Sequence, residues 1–254
     1  ECERLEAKRL AAITLDETMA VTLSQSVLVF AESHKMMKDM VAMCEGKENA
    51  TVLARVGVLA SIAQLVIAHG SNRDTLIQAI TTFAAIVGRV DINEEHKIRA
   101  QLQSMAVLKG VAVMLNSYTN YNEGVNTSLI TILDKITQIN HVDQSFTAAV
   151  TDSGLLSALI RIVSRGESGD EKNATLLTKA VQVLGKLPNI HANESLIKQL
   201  TDSAFIKRLI RCMFANIDNV EFIAASLFLL AKLAVHPDLK KCIAKEGGAE
   251  LTVA

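Results

Sequence analysis

Residues 150–163 read VTDSGLLSALIRIV and residues 200–213 read LTDSAFIKRLIRCM. Aligned, they match at Thr151/Thr201, Asp152/Asp202, Ser153/Ser203, Leu159/Leu209, Ile160/Ile210 and Arg161/Arg211, and most other positions pair apolar with apolar. A single compact core has no reason to rewrite itself at a fixed interval, whereas a stack of similar units does. The position of Gly154 and Ala204 recurs at Gly57 in RVGVLASIAQLV, at Ala106 in SMAVLKGVAVML and at Ala249 in EGGAELTVA. The interval is roughly 45 to 50 residues, near the upper end of helical repeat periods.

Around these positions each interval divides alike. A long helical pattern comes first, over about 73–90, 122–139, 170–187 and 218–235. A tight turn follows, carrying His141, His191 or His236, with Pro188 and Pro237 placed where a helix has just stopped. Next comes a two-turn helix (QSFTAAV, ESLIKQL, DLKKCIAK), then a small or capping residue, then a medium helix with apolar residues at helical spacing, as at Leu155, Leu156, Leu159, Ile160 and Val163. Joints such as RGESGDEKN, residues 165–173, lead on to the next long helix. Few segments alternate in the manner of strands, so the predicted class is all-α. In the first 47 residues the phase is ambiguous: His34 reads either as another turn histidine or as part of a long helix running through HKMMKDMVAM. Met36, Met37, Met40 and Met43 in that run have core-facing spacing.

Composition narrows the function classes. Half of the 254 residues are hydrophobic, yet aromatics make up 4% and tryptophan is absent. The apolar mass is aliphatic, which suits many short helix–helix contacts. A net charge of −1 argues against a dominant phosphate-binding role, and hence against nucleic acid as partner. The apolar run FIAASLFLLA from Phe222 is too short to cross a bilayer. Cys2, Cys44, Cys212 and Cys242 form no close pair and have no histidine at zinc-ligand spacing, so reduced core thiols are expected, which points to the cytoplasm, with the nucleus or the cytoskeleton as alternatives. Neither a metal nor a cofactor is predicted. Of the sequons at Asn49, Asn126, Asn173 and Asn193, the last two fall where helices begin, and N-capping accounts for them. The chain opens at Glu1 and closes on ELTVA, giving the expectation of a piece cut from a longer protein. No nucleophile elbow, zincin motif, Walker loop or dinucleotide fingerprint is present, and GESG at 166–169 lacks the strand and lysine of a phosphate loop; no catalytic residue is assigned.

Long, short and medium helices in this order, with junctions such as HPDLKKCIAKEGGAELTV, resemble the armadillo family over about residues 48–254. Residues 1–47 then form N-terminal helices, a cap or a partial repeat. The resemblance implies a right-handed α-α superhelix of about five repeats, with the long helices lining a concave groove. It further implies a non-catalytic scaffold or adaptor that binds another protein along that groove.

Near the end of each long helix a short phrase repeats: IVGRV, ILDKI, VLGKL and LLAKL, with Arg89, Lys135, Lys186 and Lys232 set between apolar residues. In the family's import receptors this place resembles that of an asparagine that bonds a peptide backbone, with a tryptophan four residues earlier. Here the earlier positions hold Ala85, Thr131, Gln182 and Phe228, so that pattern is missing and four cations would repel a basic ligand. The catenin-type members, which use groove lysines, suggest instead an extended acidic segment, with Gln182 and Phe228 completing the candidate surface. Charge in such a row acts mainly through steering and register. A cation in the last turn of a helix also faces bare carbonyls and the negative end of the macrodipole with no ligand present, and both roles remain open here. The turn histidines read as structural, and Lys207, Arg208 and Arg211, echoed by Arg161 and Arg165, as a solvated helix face. The competing function is a structural subunit of a cytoskeletal or ciliary assembly, docking through end or convex faces.

Overall fold

A computed structural model describes residues 6, 9–10, 12–28, 30–117, 123–140, 142–166, 171–190, 193–202 and 204–247. These residues form fifteen α-helices and no strand. From Glu17 onward the helices run medium, long, short, and then start again. The first triplet is α1 (Glu17–Val27), α2 (Phe30–Met43) and α3 (Lys47–Arg55), of 11, 14 and 9 residues. The second is α4 (Val58–His69), α5 (Arg73–Arg89) and α6 (His96–Leu102), of 12, 17 and 7 residues. The third is α7 (Met105–Asn116), α8 (Glu123–Thr137) and α9 (Gln144–Asp152), of 12, 15 and 9 residues. The fourth is α10 (Leu155–Arg165), α11 (Glu171–Lys186) and α12 (Glu194–Asp202), of 11, 16 and 9 residues. The last is α13 (Phe205–Ala215), α14 (Val220–Leu233) and α15 (Pro237–Lys245), of 11, 14 and 9 residues. The ambiguity at His34 is resolved: it lies exposed within the long helix α2, while Met37, Met40 and Met43 point into the core.

The elements start and stop for local reasons. Asn72 and Asn219 open the long helices α5 and α14 by accepting backbone N–H bonds in the first turn. Asp143 and Asn193 do the same for the short helices α9 and α12. Asn193 is thus the predicted cap. Asn173 is not, because α11 already begins at Glu171. Between short and medium helices the backbone turns through the left-handed region, at Gly57 (φ 99°), Gly154 (φ 80°) and Ala204 (φ 52°). An L-residue pays for that conformation and glycine does not, which explains why the position is small. Ala106 is not part of this set. At its joint Ser104 sits in extended backbone and caps α7 through its side chain, and Ala106 already belongs to the helix. In the last triplet the left-handed residue is Gly247 (φ 87°), and Ala249 lies outside the described residues.

The chain divides into two compact units, residues 1–140 and 141–254. In the first unit like packs on like: α2 on α5 and α5 on α8 among the long helices, α1 on α4 and α4 on α7 among the medium ones, and α3 on α6 among the short ones. The core between them holds Met37, Leu53, Ile62, Ile80, Phe83, Leu108, Leu129 and Leu133, all fully buried. Gly110 of α7 lies so close to Ala63 of α4 that an added Cβ would come within 2.6 Å of it. Asn49, buried in α3, accepts from the Leu15 N–H and donates to the Ile13 and Met43 carbonyls, tying the segment before α1 to the end of α2. Its amide is therefore spent inside the fold rather than presented as a glycosylation site. In the second unit α11 packs on α14 and α10 on α13, around Leu156, Leu159, Leu184, Phe205, Leu209 and Phe222.

Candidate functional site

The last turn of an α-helix leaves four carbonyls without an intrahelical partner. In this protein side chains from the following triplet reach those carbonyls. In the first unit Lys135 of α8 donates from Nζ to the carbonyl of Val90, the C-cap of α5, at 3.0 Å. Arg89 of α5 makes a longer bond, Nε to the carbonyl of Glu45 just past α2, at 3.4 Å. Gln101 of α6 donates to the carbonyl of Ala54 in the last turn of α3, at 2.8 Å. In the second unit Lys232 of α14 donates to Gly185 O at 2.7 Å and to Leu187 O at 3.2 Å, closing the end of α11. There Asn216, after α13, donates to the carbonyl of Gly166, the C-cap of α10. Every one of these bonds spans 44 to 50 residues. The repeat period thus appears in the chemistry as well as in the helix lengths.

The predicted groove residues separate accordingly. Lys135 and Lys232 are half-buried and cap neighbouring helices, while Arg89 and Lys186 are exposed. Capping by these cations acts on the preceding long helix; the carbonyls at the end of their own helix are not their acceptors. Desolvation lowers the Lys232 pKa below the ordinary lysine range, and its ammonium also lies 5.4 Å from the centroid of the Phe228 ring. Phe228 is 58% exposed, with one ring edge resting on Gly185, whose missing side chain leaves the room. Gln182 is half-buried and donates to Glu221 Oε1 at 2.9 Å; the same carboxylate oxygen stands 3.7 Å from Lys179 Nζ. In the second unit, then, Gln182, Phe228 and Lys232 lie along one helix pair, α11 and α14. In the first, Lys135 and Arg89 each follow the end of the long helix before them.

No family model matches this sequence, and no curated protein shows significant similarity to it.

Other predicted features fall as follows. Lys207, Arg208 and Arg211 are exposed on α13, as a solvated face requires, and Arg161 and Arg208 line a shallow recess together with Asp202. His236 occupies the N-cap position of α15, where its backbone carbonyl accepts from the Lys240 N–H and its ring makes no cap bond, whereas His141 and His191 lie outside the described residues. Cys44 and Cys212 are buried thiols that form no disulfide. Burial pushes the Cys44 thiol up to about 12, and Cys212 donates to the Val163 carbonyl at 2.9 Å. Cys2 lies outside the described residues. No single helix among the described residues is long and apolar enough to cross a membrane.

Sequence reasoning missed Glu221, Asn216, Gln101 and the pair Arg55–Glu95, whose Nη2 and Oε1 meet at 2.5 Å and join α3 to the start of α6. One signal could have found several of them. Polar residues one repeat interval beyond the end of a helix are the candidates for closing that end.

Proposed function

We propose that the chain is an armadillo-like, right-handed superhelix of about five repeats. In this reading it is a non-catalytic, cytoplasmic scaffold that takes an extended acidic segment of a partner protein along the concave side of its long helices. The observation that supports this most is the recurring medium–long–short triplet, packed like on like within each unit and joined by side-chain caps at one interval. A stack held together in this way leaves its long-helix surface free for a partner, and its polar caps fix that surface in place.

The cations contribute unequally in this scheme. Lys135 and Lys232 belong to the framework, so acidic recognition falls to the exposed Arg89 in the first unit and Lys186 in the second, with Phe228 as an apolar anchor. Exposed pairs contribute on the order of 0–1 kcal/mol each, so the effect lies mostly in register and choice of partner. The test is selection from a random-peptide library against the immobilised chain. Acidic peptides should be enriched, and their binding should fall with Arg89→Glu or Lys186→Glu while surviving Lys207→Glu. Peptides indifferent to both long-helix reversals would overturn the groove.

A second reading is favoured by a separate observation. The outward side of α14 is apolar and exposed, which suits a structural subunit of a cytoskeletal or ciliary assembly that docks through that face. Co-sedimentation with polymerised cytoskeletal filaments, lost on Phe228→Glu, is its expected result.

A further inference from the structure

Helix α14 is apolar on both sides. Phe222, Ser226, Leu229, Leu230 and Leu233 are buried on the inward side. Opposite them Val220, Ala224, Phe228 and Ala231 are exposed, and Val235 continues their line just past the helix. At one residue per roughly 100° these five positions fall within an arc of about 80°. A helix that is hydrophobic all round is normally covered all round. Among the described residues the five most exposed large hydrophobics all lie between Phe214 and Val235, with Val220 at 78%. Chance scatter would spread them along the chain. The corresponding side of α11 is covered, because Phe228 itself rests on Gly185.

We infer that a second copy of this chain covers the α14 face, the two helices lying antiparallel about a two-fold axis near Phe228. Read along the helix, the stripe is Val220, Ala224, Phe228, Ala231, Val235, and read backwards it is the same series of side chains. A two-fold interface places one patch against itself and so requires this kind of self-complementarity. Val220 of one copy meets Val235 of the other and Ala224 meets Ala231. The two phenylalanines fill the centre, and the alanines let the backbones approach. The charges that border the stripe are already engaged, Glu221 by Gln182 and Lys179, and Lys232 by two carbonyls, so pairing strands no free charge. Stable pairs bury on the order of 800 Å² per copy. The stripe, extended by the exposed Ile217 three residues before Val220, supplies the apolar centre of such a contact.

The inference rests on the assembly reading and names the chain itself as the first partner. Sedimentation equilibrium of the full chain should show a mass rising with concentration toward twice 27.5 kDa. Phe228→Glu should weaken the pairing at least about tenfold with an unchanged helical circular-dichroism signal. Orientation is read by cysteine cross-linking in a chain with Cys2 and Cys242 replaced by serine. Phe228→Cys should couple to itself, and Val220→Cys should couple to Val235→Cys in a mixture but not to itself. A chain that stays monomeric at every concentration, or a dimer in which Val220→Cys couples to itself, overturns the pairing. The assembly reading fails separately, if Phe228→Glu leaves filament co-sedimentation unchanged.

Discussion

Gly154 and Ala204 perform the same turn with different side chains, and the difference has a sign. Both sit in the left-handed region ahead of a medium helix, and nothing lies within 4 Å of the place where a Cβ on Gly154 would be. The cost of a side chain there is therefore conformational rather than steric. Gly154→Ala should lose about 1 kcal/mol of unfolding free energy, and Ala204→Gly should gain about 0.5 kcal/mol, the smaller figure reflecting glycine's extra freedom in the unfolded chain. Urea denaturation of the two variants checks both signs at once. The pairing of these residues was legible in the sequence because the surrounding segment is nearly copied. The role of Ala106 was not, because a serine cap at Ser104 replaces the left-handed turn and leaves the apolar spacing unchanged. The direction taken by Lys135 and Lys232 was also hidden. Sequence places a lysine in the last turn of a helix, and only the packed neighbour decides whether it reaches water, its own carbonyls or those of another helix.

At the scale of elements the long helices were the most readable. Arg73–Arg89, Glu123–Thr137, Glu171–Lys186 and Val220–Leu233 lie within a few residues of the stretches that periodicity marks out, since each combines a broad apolar stripe with a nearby breaker. Close approach between helices is less readable. Gly110 looks like any helical glycine, yet its missing side chain sets the separation of α4 and α7 against Ala63. Both the backbone and the Cβ of Ala63 stand in the way, so neither can give through a rotamer change. Gly110→Ala should cost about 1–3 kcal/mol despite its higher helix propensity, and a thermal melt of that variant should show the loss. Pairing of α14 across a two-fold is the matching proposal on the outer side of an element. It came from the order of exposed residues, which the sequence contains but does not mark as exposed.

Across the whole molecule the described helices recur as medium–long–short triplets, and such a triplet is too small to bury its own apolar stripe. Within each unit, adjacent triplets bury their apolar stripes against one another, and side chains of the later triplet close helix ends of the earlier one. The caps on the long helices set the half-buried cations apart from the exposed ones. If Lys135 and Lys232 hold the stack together, replacing their charged donors must weaken the fold, and replacing the exposed Lys186 must not. The measurement is urea unfolding of Lys135→Met, Lys232→Met and Lys186→Met, chosen to keep chain length while removing the ammonium. We predict losses of about 1–2 kcal/mol for Lys135→Met and Lys232→Met, the magnitude of a partly solvated charged hydrogen bond, and a change within about 0.5 kcal/mol for Lys186→Met. Lys135→Met and Lys232→Met proteins equal to the parent within error would contradict the capping role.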